Sequence, residues 1–140
     1  MKSDIVFLTN DQDLKANWPL ARPLLEKCVL KAVHGEYTVD DIKELVSRQR
    51  AMIAMGFLDG KPAVALAIEW LIYPQLKVAN IMALGGRDLM VLADIYWDDI
   101  LKMLKSIGMQ AVQCSCSRSM ERFLRPLGFA EVYRDLRINL

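Results

Sequence analysis

One histidine, three cysteines and no surplus of charge of either sign deprive this sequence of several common chemistries. His34 stands alone, and Cys28, Cys114 and Cys116 form no Cys-x-x-Cys pair, so no zinc-type ligand set can be assembled and no metal is expected. Cys114 and Cys116 lie two apart on an expected strand and point to one face, where a disulfide between them would be strained. Reduced, mostly buried thiols are the expectation. Lys and Arg number 18 against 17 Asp and Glu, and a net charge of +1 gives no field to draw nucleic acid. The longest apolar stretch, Ala63 to Pro74, is interrupted by Glu69 and is too short to span a bilayer. Asp4, Asp11 and Asp13 flank only the brief apolar run Ile5 to Leu8, unlike a signal peptide. No Gly-x-Ser-x-Gly occurs, so a serine nucleophile has no support. A cytoplasmic protein with neither membrane nor nucleic-acid partner is expected.

What is present suits one domain over residues 1–140, for 54% of the 140 residues are hydrophobic and the chain can bury a core around one sheet. Asp4 to Leu8 reads as a short strand. Asn17 to Val33 carries Leu20, Leu24, Leu25, Cys28, Val29 and Ala32 at helical spacing. Pro23 sits too deep for a regular helix begun at Asn17, so a kink or a fresh start is expected there. Thr38 reads as an N-cap, followed by Ile42, Leu45 and Val46 as the stripe of a second helix. Ala51 to Leu58, the Asp59-Gly60 turn and Ala63 to Ile72 form a hairpin apolar on both faces, hence a sheet covered on both sides. Leu76 to Leu84 supplies another strand, broken by Gly85-Gly86. Asp88 to Ile107 is helical, with Trp97, Ile100, Leu101, Leu104 and Ile107 on one stripe. Met109 to Cys116 is a strand, Ser117 to Pro126 a short helix, and Ala130 to Asn139 a last strand. The expected class is α/β (α+β), a mixed twisted sheet of six to seven strands with about four helices in the order β-α-α-β-β-β-α-β-α-β.

That order resembles the GCN5-related N-acetyltransferase (GNAT) fold. Members often carry Asn-x-x-Ala-x-x-Phe-Tyr-x-x-x-Gly-Phe after the fifth strand. Here the stretch runs Ser117-Arg118-Ser119-Met120-Glu121-Arg122-Phe123-Leu124-Arg125-Pro126-Leu127-Gly128-Phe129, matching at Phe123, Gly128 and Phe129. Phe123 and Leu127 share a helix face, and Gly128 allows the reversal at the helix end.

The resemblance implies an acyl-CoA-dependent N-acyltransferase, with acetyl-CoA or another acyl-CoA as co-substrate and a small amine or a protein amino group as acceptor. In the family the thioester's pantetheine arm pairs with backbone where two parallel strands splay, and the pyrophosphate meets amides at the next helix start. The corresponding residues are Met82, Leu84, Gly85, Gly86, Arg87, Asp88, Leu89 and Met90, with Ser117 in the asparagine slot. Several positions depart from the pattern: Leu124 replaces the tyrosine that protonates the departing thiolate, and Val91 replaces a loop glycine. Tyr133, Tyr96 or Tyr73 could supply the missing acid, Tyr133 being the first choice. Glu69 is the candidate base, because it interrupts Ala65-Leu66-Ala67-Ile68-Glu69-Trp70-Leu71 and burial among such neighbours favours its protonated form. The departures equally suit a catalytically degenerate GNAT-fold binding or structural protein, in the manner of phage-encoded GNAT-like proteins and virion components. A regulator that uses the basic C-terminal face is a third reading. A homodimer through the C-terminal strand also fits.

Overall fold

The computed structural model describes residues 1–140 as one twisted sheet with helices on both faces. Strand β1 (Ser3–Leu8) leads into α1 (Asp11–Ala32) and α2 (Val39–Ser47). Strands β2 (Ala51–Leu58), β3 (Lys61–Ile72) and β4 (Lys77–Gly86) follow as a meander. A continuous helical run comprises α3 (Leu89–Val91), a π turn (Leu92–Tyr96) and α4 (Trp97–Ser106). Then come β5 (Ala111–Cys114) and α5 (Arg118–Leu124), which ends in a 3-10 turn. The sheet order is β1-β2-β3-β4-β5, antiparallel except for the parallel β4–β5 pair.

Local chemistry explains most boundaries. Asn10 caps α1 by accepting from the Asp13 amide, with Asp11 and Asp13 favourably placed at the positive end of the helix dipole. The helix therefore begins earlier than Asn17 and continues without restarting at Pro23. Pro19 and Pro23 both lie on its exposed face, where water can meet the carbonyls that the missing amides leave unpaired. Thr38 and Asp41 form a reciprocal capping box on α2. Gly128, at φ 107°, closes the 3-10 turn in the left-handed region.

Two apolar layers sandwich the sheet. One joins α1 and α2 to it through Leu14, Leu25, Val29, Ile42, Ile53 and Ala67. The other joins the α3–α5 side through Leu66, Ile68, Tyr96, Ile100 and Leu104. The sheet is buried on both faces, as the doubly apolar strands indicated.

The strand count needs correction. The sheet has five strands, not six or seven, and residues 128–140 form no strand after the 3-10 turn. Alternating apolar residues give 130–140 the pattern of a strand, but pairing requires a partner edge at hydrogen-bonding distance. No backbone group of 130–140 bonds to another backbone group, and the segment is held by side chains alone.

Candidate functional site

The site grows from one irregularity in β4. Ala67 pairs with Ala83 and Ile68 with Ile81, so Met82 is an extra residue without a partner on β3. Such a bulge bends its strand and adds twist. On its other side β4 pairs with β5 only from Val78↔Ala111 to Ile81↔Cys114, and pairing stops at the bulge. Beyond Ile81 and Cys114, Met82 to Gly86 therefore have no partner on β5, whose strand has ended before Ser115 to Ser117.

Side chains of the α1–α2 side reach this unpaired stretch of β4. The Tyr37 hydroxyl donates to the Met82 carbonyl, and the Leu84 amide donates to Cys28 Sγ at 3.4 Å. Both bonds engage β4 backbone groups that β3 does not use. Burial pushes the Tyr37 hydroxyl well up from its ordinary range, and the charges of Cys28, Glu69, Glu36 and Cys114 push the same way. Tyr37 is thus a neutral proton donor across the physiological range.

Glu69 and Asn80 face each other across β3 and β4, two residues before the bulge, and Asn80 Nδ2 donates to Glu69 Oε1 at 2.8 Å. Glu69 is half-buried and on the same sheet face as Met82 and Tyr37, which is why its charge is felt by the tyrosine.

The end of β4 and the turn that follows it are tightly built. A Cβ on Gly85 would stand 1.9 Å from the Leu24 carbonyl oxygen, so α1 crosses directly over this residue. Gly86 lies against the Ala63 backbone, the Arg87 amide donates to Ala63 O, and its guanidinium donates to Pro62 O at 3.1 Å. Asp88 caps the helical run by accepting from the Met90 amide at 3.0 Å. Leu89 follows the cap partly buried, while Met90 projects into solvent. Ser117 has a similar role, accepting from Met120 N at the start of α5.

The structure brings Met82, Leu84 and Glu69 to one region and sets the loop residues Gly85 to Met90 at its end. Tyr133 stands apart, exposed on the C-terminal segment, and the tyrosine hydroxyl at the split belongs to Tyr37. Leu124, in the family's acid slot, is buried in the α5 packing and offers no proton. Tyr37 was not among the sequence candidates for the acid, and its position in the loop between α1 and α2 carried no signal of a bond to β4. A depression of about 280 Å³ lined by Thr9, Asn10, Gln49, Ala51, Met52 and Trp70 lies toward the other end of β3 and includes no residue of the split.

The cysteines give a direct check on this packing. Burial pushes the Cys114 thiol up to about 12 from an ordinary 9.0, whereas Cys116 is exposed. Iodoacetamide at pH 8 is expected to modify Cys116 and leave Cys114 intact until the protein unfolds, as read by peptide mass spectrometry. The unfolded Cys114 thiol releases its proton near its ordinary value while the folded one retains it. Stability from this group is therefore complete below about pH 9 and falls as pH rises toward 12.

No family model matches the sequence, and no curated protein does. Solved structures match over nearly the whole chain at low identity. AAC(6')-Iy in complex with the bisubstrate analogue CoA-S-monomethyl-acetylneamine superposes with a TM-score of 0.72 at 14% identity, covering 100% of this chain and 99% of that one. The ribosomal-protein-alanine N-acetyltransferase of Brucella melitensis biovar Abortus 2308 gives 0.70 at 13%, with 99% of each chain covered. A predicted acetyltransferase with acetyl-CoA from Clostridium acetobutylicum gives 0.69 at 8%, covering 99% of this chain and 96% of that one. The likeness establishes the GNAT fold. No helix of the chain is long and apolar enough to cross a membrane.

Proposed function

We propose that the chain is an acyl-CoA-dependent N-acyltransferase that transfers an acetyl or larger acyl group to a primary amine, either of a small molecule or of a protein. The observation that carries this reading is the bulge at Met82, where the β4–β5 pairing ends, so that Met82 to Gly86 have no strand partner on the β5 side. Neighbours of the same fold hold acetyl-CoA or a CoA-containing bisubstrate analogue, which supports acyl-CoA as the co-substrate. An arm carrying amides can pair with Met82 O and Leu84 N once the Tyr37 and Cys28 side chains swing away from them. Pyrophosphate can meet the start of the helical run when Asp88 releases the Met90 amide.

Glu69 then takes the proton that the amine sheds as its C–N bond forms. Tyr37 donates a proton to the sulfur as the C–S bond breaks, replacing the tyrosine that Leu124 displaces. Replacing Glu69 with Gln keeps the shape and removes the base. A fall in turnover of roughly a hundredfold is expected, with acetyl-CoA binding unchanged. Unchanged turnover removes Glu69 from that role.

A second reading, a GNAT-fold binding protein without catalysis, draws on the buried Leu124 and on the closed Gly85–Asp88 loop. Thermal denaturation with acetyl-CoA separates the two. Ligand at a hundredfold its dissociation constant stabilises the native state by about 2.7 kcal/mol, which raises the midpoint by roughly 5–10 °C at this size. A melting curve unmoved by millimolar acetyl-CoA leaves only the second reading.

A further inference from the structure

One row of polar side chains crosses the sheet face on which Met82 and Tyr37 pack. Glu69 pairs with Asn80 on β4, and Asn80 with Gln113 on β5, so the three stand side by side on successive strands. The row on one side of it, Leu71, Val78 and Ala111, is apolar, and so are Ala67 and Ala83 on the other. The single bond within the row runs from Asn80 Nδ2 to Glu69 Oε1 at 2.8 Å. It leaves Glu69 Oε2, Asn80 Oδ1 and the whole Gln113 amide without a side-chain partner in the chain. All three residues are partly buried, and the only polar side-chain atom both buried and unpaired is Trp97 Nε1, so the free atoms of the row meet solvent. A molecule that displaces this water must supply the bonds that the water made.

We propose, resting on the transferase reading above, that Asn80 and Gln113 bind the acyl acceptor and select a primary amine with a hydroxyl or carbonyl oxygen on the carbon next to the amine-bearing one. Asn80 stands between the proposed base and β5, with a strand spacing of about 4.8 Å to Glu69 on one side and to Gln113 on the other. An amine that sheds a proton to Glu69 Oε2 can donate a second N–H to Asn80 Oδ1. What is bonded to the amine carbon then lies one strand further, over Gln113. The Gln113 amide offers both a donor and an acceptor, and an oxygen beside the amine comes within its reach. A plain alkyl chain makes no such bond and leaves the amide dehydrated and unpaired. A site built to hydrogen-bond a polar group rejects analogues that lack it far more strongly than an apolar pocket discriminates by size. The required arrangement occurs at a peptide N-terminus and in an amino sugar, and is absent from a lysine side chain.

Thiol release from acetyl-CoA tests the selection with three acceptor probes: alanylalanine, D-glucosamine and n-butylamine. Each kcat/KM is referred to the unprotonated amine, and acetyl-CoA binding by calorimetry and the melting temperature are recorded for every variant. Wild type is expected to use the dipeptide or glucosamine, according to the source, at least about tenfold better than n-butylamine. Gln113→Leu should raise KM for the preferred probe by roughly tenfold and so erase the preference. Gln113→Glu keeps the shape but only accepts, so it should favour the glucosamine hydroxyl over the dipeptide carbonyl, which needs a donor. That variant decides the matter if the leucine variant fails to fold. Asn80→Leu should lower kcat/KM for all three probes by roughly tenfold. Where wild type binds acetyl-CoA, turnover of no probe, a preference for n-butylamine, or a preference untouched by both Gln113 variants overturns this inference alone. Where wild type does not bind acetyl-CoA, the transferase reading falls and takes the inference with it.

Discussion

Replacing Gly85 with alanine should lower the melting temperature by about 10 °C or more, whereas Gly60→Ala should cost only a few degrees. At Gly85 the added carbon would lie 1.9 Å from the Leu24 carbonyl oxygen and 2.7 Å from its carbon. Both contacts are backbone, so no side chain can rotate aside, and α1 would have to lift off the sheet. Overpacking in a core typically costs about 1–3 kcal/mol. A clash between two backbones belongs at or beyond the top of that range, a large share of the ~5–15 kcal/mol that holds a domain together. Gly60, at φ +78°, has nothing within 4 Å of the position a Cβ would take. There alanine meets only the left-handed backbone penalty, about 1–2 kcal/mol. Equal losses at the two positions would refute the close crossing of α1 over β4. Calorimetric scans of both variants decide it.

The sequence reading ends the strand at Leu84 and takes Gly85-Gly86 as a break and part of a ligand loop, but both glycines pair within β4, Gly85 with Ala65 and Gly86 with Val64. Gly85 sits where the α1 backbone at Leu24 passes too close for a Cβ, which is a long-range fact that no local pattern encodes. The same limit explains the other omissions. Thr38 with Asp41, Asp59-Gly60 and the Trp97–Ile100–Leu104 stripe act within one turn or one element, so the residues themselves announce the structure. The bulge at Met82 is a mismatch of register between β3 and β4, and neither strand's own sequence records it. The π turn at Leu92–Tyr96 is similar. It accompanies a Tyr96 hydroxyl bonded to Phe57 O at 2.6 Å and a ring packed on Gly56, both distant in sequence. For the last segment the alternation was legible but its partner was not, and alternation without a partner makes no strand.

The Tyr37→Phe variant should separate binding from chemistry. Its hydroxyl occupies the Met82 carbonyl, so the proposed arm must displace that bond before it can pair there. A hydrogen bond of this kind is worth about 0.5–1.5 kcal/mol net. Removing the hydroxyl should therefore tighten acetyl-CoA binding by up to about tenfold, measured by titration calorimetry. Phenylalanine cannot donate a proton to the leaving sulfur, and turnover should fall by roughly 10²-fold or more. Tighter binding with slower turnover is a pattern that simple loss of packing does not produce, since disorder at the cleft weakens both. If binding weakens and turnover is retained, Tyr37 is neither the competitor for the Met82 carbonyl nor the acid.

The account rests on the gap that opens where β4 and β5 part, and a crystal structure of the protein with bound acetyl-CoA addresses it most directly. The expected density runs between Met82–Leu84 and Ser115–Ser117, with amides of the ligand on Met82 O and Leu84 N and the Tyr37 side chain moved off the strand. Density elsewhere, or an empty cleft with Tyr37 still bonded to Met82 at saturating ligand, would contradict the transferase reading.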